Sequence, residues 1–200
     1  MSTNIETKAS CPDLVAVQRR LAESDARWQA VLDQHDTYFG VPSGRLKLRV
    51  ERTIESSAGR PATRPPHSPT AGRCEDDVPS GASARSELIA YERPDRVDAR
   101  PCQYWRIPVG DPEVCVAGLG ALLGIRVEVR KRRELWIVGA TRVHLDRVDD
   151  LGQFVELETV LTDQPRAAAE AEHRACGQLL GIDSRRTVAG SYADLLSDDR

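Results

Sequence analysis

The stretch RLKLRVE, residues 45–51, alternates strictly between charged and apolar side chains. Residues two apart share one face of a β-strand, whereas a helix would scatter them around its axis. The apolar face carries Leu46, Leu48 and Val50, and the other face carries Arg45, Lys47, Arg49 and Glu51. The stretch therefore predicts a strand with one face buried in a core and one face that is charged.

The same two-residue spacing of polar side chains recurs in other β-rich stretches along the chain. Its members are Glu6, Lys8, Tyr91, Arg93, Lys131, Arg133, Arg142, His144, Asp146, Glu156 and Glu158. The apolar residues assigned to the opposite faces are Val127, Val143, Leu145, Val155 and Leu157. Cations fall on the middle stretches, and carboxylates fall on the first and last. A solvated face is the simpler interpretation of any one strand. The sorting by sign across all of them favours charged faces that line a cavity.

Closing an antiparallel sheet into a barrel removes its edges and directs every second side chain inward. Three runs at 125–139, 140–148 and 151–161, separated by turn residues, predict an antiparallel meander. Helical spacing predicts covering helices over about 12–34, from Asp111 to Gly124, over 166–180 and briefly at GSYADLL. We therefore predict an α+β fold, a closed antiparallel β-barrel with covering helices.

Length and composition indicate the number of domains and limit the classes of partner, location and cysteine site to be expected. The 200 residues predict a single domain, and residues 56–86, rich in Pro, Gly, Ser and charge, predict a disordered insertion within it. The net charge of −3 gives no reason to expect a nucleic-acid or membrane partner. With no leader or long apolar run, the expected location is the cytoplasm. Five cysteines without a CxxC pair argue against a disulfide framework or a zinc site.

The basic residues are chosen unevenly. Of the 28 Lys and Arg residues, only Lys8, Lys47 and Lys131 are lysines, and all three lie on the predicted charged faces. An ammonium and a guanidinium differ in geometry and hydration, which suggests that these three positions need a lysine.

A cavity rich in Arg and Lys suits a highly charged anion, because guanidinium groups match phosphate oxygens in pairs. Carboxylates at one end would supply the hard oxygens that hold Mg²⁺ or Mn²⁺ and join the ion to substrate phosphates. Glu156 and Glu158 are the first candidates for this role, aided by Glu6 and Asp146. The pattern predicts a metal-assisted site for a phosphate chain.

These residues resemble the CYTH-domain proteins, the triphosphate tunnel metalloenzymes that include class IV adenylate cyclases and thiamine triphosphatases. The likeness runs through NIETK, DTYFGVPSGRLKLR, ELIAYERPD, VRKRRELW, TRVHLDRVDDLGQFVELE and GSYADLL. It implies a tunnel of about eight antiparallel strands that binds a triphosphate. In the pattern Glu-x-Glu-x-Lys, however, Asn4 stands at the first glutamate, so a second metal is expected to bind weakly or not at all. A second departure is Cys102, where cyclase-like relatives tend to have serine.

The resemblance assigns a role to each matching position. Lys8 and Tyr38 are the implied catalytic residues, since in triphosphatases of the family the two matching residues activate water. The implied metal ligands are Glu6, Asp146, Glu156 and Glu158. The triphosphate ligands are Lys8, Lys47, Arg49, Tyr91, Arg93, Lys131, Arg133 and Arg142. For His144, a general-base role and a structural role both stay open.

The leading expectation is an enzyme that converts ATP to cAMP and pyrophosphate with Mg²⁺ or Mn²⁺, because HLD, LGQFVELE and SYADLL look most like the cyclase branch. The alternative is hydrolysis of thiamine triphosphate, tripolyphosphate or a nucleoside triphosphate, which Asn4 favours. A phosphate sensor, or a tunnel that serves another phosphorylated metabolite, also stays open. A homodimer is compatible with the sequence.

Overall fold

The computed structural model describes residues 3–57, 84–92, 103–161 and 165–198. The strands are β1 Thr3–Ser10, β2 Arg27–Phe39, β3 Arg45–Ser56, β4 Ala84–Glu92, β5 Gln103–Pro108, β6 Ile125–Val138, β7 Thr141–Val148 and β8 Gly152–Leu161. The helices are α1 Leu14–Ala22, α2 Pro112–Leu123, α3 Arg166–Leu180 and α4 Tyr192–Asp198, with a short 3-10 turn at Ser184–Arg186. No helix within these ranges is long and apolar enough to cross a membrane.

All eight strands form one antiparallel sheet in the order β1-β8-β7-β6-β2-β3-β4-β5. In a flat sheet with strands about 4.8 Å apart, the end strands would lie about 34 Å from each other. Here Glu6 of β1 and Arg106 of β5 line the same cavity. The sheet therefore curls around that cavity, and all eight strands contribute side chains to it. The predicted eight-stranded antiparallel fold with covering helices is confirmed.

Two apolar clusters hold the sheet. On its outer face, Leu14, Val17 and Leu21 of α1 pack with Cys176 and Leu180 of α3. They cover the strand residues Trp136, Val143, Leu145, Val155 and Leu157. The second cluster joins α4 to the sheet and consists of Tyr38, Val129, Val148, Phe154, Tyr192 and Ala193, with Val127 packed against it. Burial on this scale is the main term that stabilises the fold.

The helix predicted over residues 12–34 is wrong beyond Ala22. Helix α1 ends at Ala22. The Ser24 hydroxyl donates a hydrogen bond to the carbonyl of Leu21, and the chain then enters β2. The apolar residues of β2 mimic helical spacing because register shifts lie between Trp28 and Ala30 and between Val31 and Leu32. A β-bulge inserts one residue and breaks the two-residue alternation that identifies a strand.

Two further predictions need adjustment. Val127 was assigned to the face opposite to that of Lys131, but the two residues are an even number apart on β6 and share one face. Val127 packs there against the second cluster, which includes residues of α4. The ends of the predicted insertion belong to strands, since β3 runs to Ser56 and β4 begins at Ala84. Residues 58–83 of that insertion, as well as Arg93 and Cys102, lie outside the described residues.

Replacing Leu21 by Ala should destabilise the protein by about 2–5 kcal/mol, because it leaves a cavity between α1 and the sheet. Leu21 is 0% exposed. The matched control is Leu122→Ala on α2, where the side chain is 83% exposed. That change should cost less than about 0.5 kcal/mol. Urea denaturation of both variants measures the difference, and equal losses would contradict the described packing of α1.

Candidate functional site

One cavity of about 230 Å³ lies inside the curled sheet, and Tyr192 of α4 is part of its lining. Its cationic lining is Lys8, Lys47, Arg49, Arg106, Lys131 and Arg133. Its acidic lining is Glu6, Glu156 and Glu158. The other lining residues are Tyr38, Ile89, Tyr91, His144, Ser191 and Tyr192. The charged faces of separate strands thus meet around one cavity, as the alternation predicts.

The acidic side of the cavity is built by the pairing of β1 with β8. Glu6 lies opposite Glu158, and Lys8 lies opposite Glu156. Lys8 Nζ is 3.5 Å from one oxygen of Glu156, and Arg133 donates to the other at 2.7 Å. Burial opposes ionisation, yet Lys8, His144 and Arg133 hold the pKa of Glu156 well below its usual range. Glu156 is therefore a carboxylate at neutral pH, where it orients two cations.

The opposite wall consists of cations gathered around the buried carboxylate of Asp36. Arg49 donates to both oxygens of Asp36 at 2.7 Å, and Lys47 donates to one at 2.8 Å. Lys131 Nζ lies 3.8 Å from the same carboxylate. Burial and Arg49 lower the pKa of Lys47 to about 8, although Asp36 acts in the other direction. Burial and Arg133 likewise lower the pKa of Lys131.

Asp146, a predicted metal ligand, lies behind the cavity lining. It is 0% exposed. Arg133 donates two hydrogen bonds to it, at 2.7 and 2.6 Å, and the hydroxyl of Tyr192 donates a third at 2.8 Å. All of these bonds orient neighbouring side chains. In this arrangement Asp146 supports Arg133 and Tyr192 rather than facing the cavity with the glutamates.

Tyr38, a predicted catalytic residue, lines the cavity beside Lys47. Its hydroxyl accepts a hydrogen bond from Lys47 at 3.3 Å and interacts with Tyr91. Burial, reinforced by Tyr91 and Asp36, raises the pKa of Tyr38 well above its ordinary value, so it stays protonated at neutral pH. The ring beside Lys8 belongs to Tyr192, 4.1 Å from Nζ.

One predicted phosphate ligand, Arg142, is not among the residues that line this cavity. The side chain of Arg142 is 49% exposed and pairs with Glu158 at 3.3 Å. Arg93 lies outside the described residues. Five residues of the site were not predicted from the sequence, namely Asp36, Ile89, Arg106, Ser191 and Tyr192. Of these, Ser191 and Tyr192 lie in the quoted motif GSYADLL, which predicted a short helix and supported the family resemblance without assigning a role to either residue.

His144 lines the cavity, and its Nδ1 atom lies 3.6 Å from Glu156. Burial and Arg133 lower its pKa below the ordinary value, so the imidazole is neutral at pH 7. Nδ1 has no hydrogen-bond partner within the described structure. A neutral ring beside a carboxylate can serve as a base or as a support, and both roles remain predictions.

The residues around Asn4 fit a divalent cation that is shared with phosphates. Glu6 and Glu158 are directly opposed carboxylates whose like charges repel, and Arg142 beside Glu158 offsets part of that charge. Asn4 donates through its amide nitrogen to Glu158, while its amide oxygen is buried without a hydrogen-bond partner. In the described ranges, no three His, Cys, Asp or Glu side chains form a complete ligand cluster. Mg²⁺ needs none, because it is usually held by one or two carboxylates plus phosphate oxygens and water.

Replacing Arg133 by Ala should destabilise the protein by about 3–5 kcal/mol, because Asp146 would remain buried without its cation. Arg142→Ala, one strand away, is the matched control and should cost less than about 1 kcal/mol. Chemical denaturation at neutral pH measures both. A loss for Arg133→Ala no larger than that of the control would contradict the described support by Asp146.

Comparisons with known proteins agree with this architecture. Among curated proteins, none matches the chain significantly. The PH1012 protein from Pyrococcus horikoshii superposes with a TM-score of 0.70 at 21% identity, covering 98% of this chain and 99% of that one. A candidate adenylate cyclase from Vibrio parahaemolyticus gives 0.63 at 16% identity, covering 98% of each chain.

A third similar structure is HpAC1 from Hippeastrum, a candidate adenylyl cyclase in which triphosphatase activity is dominant. It has a TM-score of 0.57 at 13% identity and covers 100% of this chain and 96% of that one. At these identities the three structures establish the fold alone. The sequence model of the CYTH domain, however, matches residues 2–192. The chain therefore belongs to the CYTH domain family.

Proposed function

We propose that the protein is a Mg²⁺- or Mn²⁺-dependent enzyme that binds an organic triphosphate by its phosphate chain and breaks a phosphoanhydride bond. The observation that carries this proposal is the sorted lining of one cavity, with six cations facing three glutamates. A phosphate chain carries several negative charges in a short length and matches such a lining. Membership of the CYTH family supports the same class of substrate.

The size of the cavity supports binding through the phosphates. At about 230 Å³ it is smaller than the pockets that enclose a drug-sized ligand, which measure about 300–1,000 Å³. The phosphate chain would occupy the cavity, and the organic group would extend from its opening. Discrimination between organic groups would then depend on residues around the opening rather than on the cations.

The cationic wall would position the phosphates and stabilise the charge that develops during transfer. Arg49 and Arg133 are held by buried aspartates, so their remaining N–H groups are available to phosphate oxygens. Lys8 lies between Glu156 and the ring of Tyr192, at the border of the acidic and basic sides. An ammonium there would stabilise charge on the transferred or leaving phosphate.

The metal would be held by Glu6 and Glu158, with the amide oxygen of Asn4 as a third donor. When bound, Mg²⁺ or Mn²⁺ would neutralise part of the phosphate charge and make the phosphorus more electrophilic. Glu156 would take part mainly by orienting Lys8 and Arg133. Asp146, which already accepts three hydrogen bonds, would contribute through Arg133.

The first candidate reaction that we propose is cyclisation of ATP, in which the 3′-hydroxyl attacks the α-phosphorus and pyrophosphate leaves. The likeness of the HLD, LGQFVELE and SYADLL stretches to the cyclase branch supports it. Hydrolysis of a triphosphate is the second candidate. Asn4 favours hydrolysis, because an amide gives the metal site one negative charge fewer.

The deciding experiment is incubation of the protein with ATP and Mg²⁺ or Mn²⁺, followed by separation of the products. Cyclisation gives cAMP and pyrophosphate, whereas hydrolysis at the γ-phosphorus gives ADP and phosphate. Thiamine triphosphate and tripolyphosphate are tested in parallel. Release of no product from any of them would contradict the proposed enzyme. Calorimetric binding without turnover would instead indicate a phosphate sensor.

Replacing Glu158 by Gln should reduce metal-dependent turnover by about a hundredfold or more, because the metal loses one of its two opposed carboxylates. Tripolyphosphate binding without metal should persist in this variant, since the cationic wall is unchanged. The matched control is Glu128→Gln on β6, where Glu128 is 45% exposed and pairs with His35. Equal turnover in both variants would contradict the assignment of Glu158 to the metal.

A further inference from the structure

Asp36 has no place in the ligand set described above, yet it is among the most deeply buried side chains, at 1% exposure. It lies on β2, in the middle of the sheet, directly opposite Arg49 of β3. On the other side it lies opposite Val129 of β6, so Lys131 is its diagonal neighbour. Lys47 is the diagonal neighbour on β3. This one carboxylate is therefore within reach of three cavity cations on two strands.

Both oxygens of the Asp36 carboxylate accept hydrogen bonds. Arg49 donates from Nε to one oxygen and from Nη2 to the other, both at 2.7 Å. Lys47 donates to the second oxygen at 2.8 Å, and Lys131 Nζ is 3.8 Å from it. A paired fork fixes the plane of the guanidinium, which a single contact cannot do. The free N–H groups of Arg49 therefore keep one orientation relative to the cavity.

The Asp36 carboxylate also reduces the repulsion among the three cations. Three cations that lie close together in a buried wall repel one another until a phosphate chain arrives, and their repulsion would separate them. One carboxylate offsets a single charge, so the wall keeps a net positive charge for an anion. Although burial opposes its ionisation, Arg49 and Lys47 hold the pKa of Asp36 well below its usual range. Asp36 is thus charged throughout the neutral range.

We propose that Asp36 is a positioning residue that holds Lys47, Arg49 and Lys131 in the arrangement that receives the phosphate chain. The proposal rests on the proposed function, since it concerns the same cavity. Asp36 touches the cations from behind and does not itself line the cavity. Its effect on the ligand is therefore indirect, through the orientation and the charge of its three partners.

This role and simple electrostatics make opposite predictions for Asp36→Asn. Removal of a negative charge beside an anion site should strengthen anion binding if Asp36 acts only through its charge. If Asp36 positions the cations, the amide cannot accept from three donors, and binding should weaken. The loss of charge-assisted hydrogen bonds of this kind corresponds to about tenfold or more in affinity.

The measurement is calorimetric titration with tripolyphosphate at pH 7 without metal. Asp36→Asn should bind at least about tenfold more weakly than the wild type. Thr37→Val is the control, because Thr37 is a buried neighbour on the same strand whose replacement keeps both shape and charge. Binding by Asp36→Asn that equals or exceeds the wild type would overturn the inference alone. A wild type that does not bind tripolyphosphate would overturn the proposed function, and this inference with it.

Asp36→Glu provides a second variant in case the Asp36→Asn protein does not fold. It keeps the charge and displaces the carboxylate by one methylene group, so an effect through charge alone predicts wild-type affinity. Positioning predicts weaker binding in this variant also. Thermal melting of each variant confirms that it is folded before titration. Wild-type affinity in folded Asp36→Glu would count against positioning.

A pH profile supplies a readout that a purely structural role would not change. Asp36 and Tyr38 of β2, Arg49 of β3, Tyr91 of β4 and Arg133 of β6 face Lys47. With its pKa at about 8, Lys47 loses its charge as the pH rises through that value, and affinity should fall there. Asp36 favours the charged form, so in Asp36→Asn the fall should occur at lower pH. An unchanged profile would contradict the proposed support of Lys47.

Discussion

Two buried carboxylates allow this sheet to enclose a wall of cations. Asp36 holds Arg49, and Asp146 holds Arg133, each through two hydrogen bonds to the guanidinium. Unpaired cations in such a place would be costly to bury and would repel one another. With the two aspartates in place, the guanidinium groups are fixed and the cavity keeps an excess of positive charge. The orientation of the cationic lining, and with it the proposed binding of phosphates, depends on this pairing.

The acidic side of the cavity follows from the register between the two chain ends. The pairing of β1 with β8 puts Glu6 against Glu158 and Lys8 against Glu156. A shift of one residue would turn every one of these side chains to the outer face. The fold therefore brings distant parts of the chain together in one arrangement, in which metal-binding oxygens and a lysine meet the phosphate wall. The C-terminal α4 completes this end with Tyr192 against Lys8 and Asp146.

Alternation in the sequence was sufficient to predict the strands that are regular, and the sorting of charge by strand predicted one shared cavity. Prediction from alternation failed at β2, where β-bulges break the two-residue period and the apolar residues have helix-like spacing. Asp36 begins the quoted stretch DTYFGVPSGRLKLR, but its role was missed because its three partners lie on neighbouring strands. The orientation of Asp146 toward Arg133 is equally non-local. Family resemblance gave the position of Tyr38 but not its hydrogen bond with Lys47, which depends on packing.

The central claim is that the sorted cavity binds a phosphate chain. A crystal structure of the protein with tripolyphosphate and Mn²⁺ tests it most directly, because the anomalous signal of manganese locates the metal. We expect phosphate density inside the cavity in contact with Arg49, Lys131 and Arg133, and manganese between it and Glu6 and Glu158. An empty cavity at saturating ligand, or phosphate bound only on the outer face of the sheet, would contradict the account.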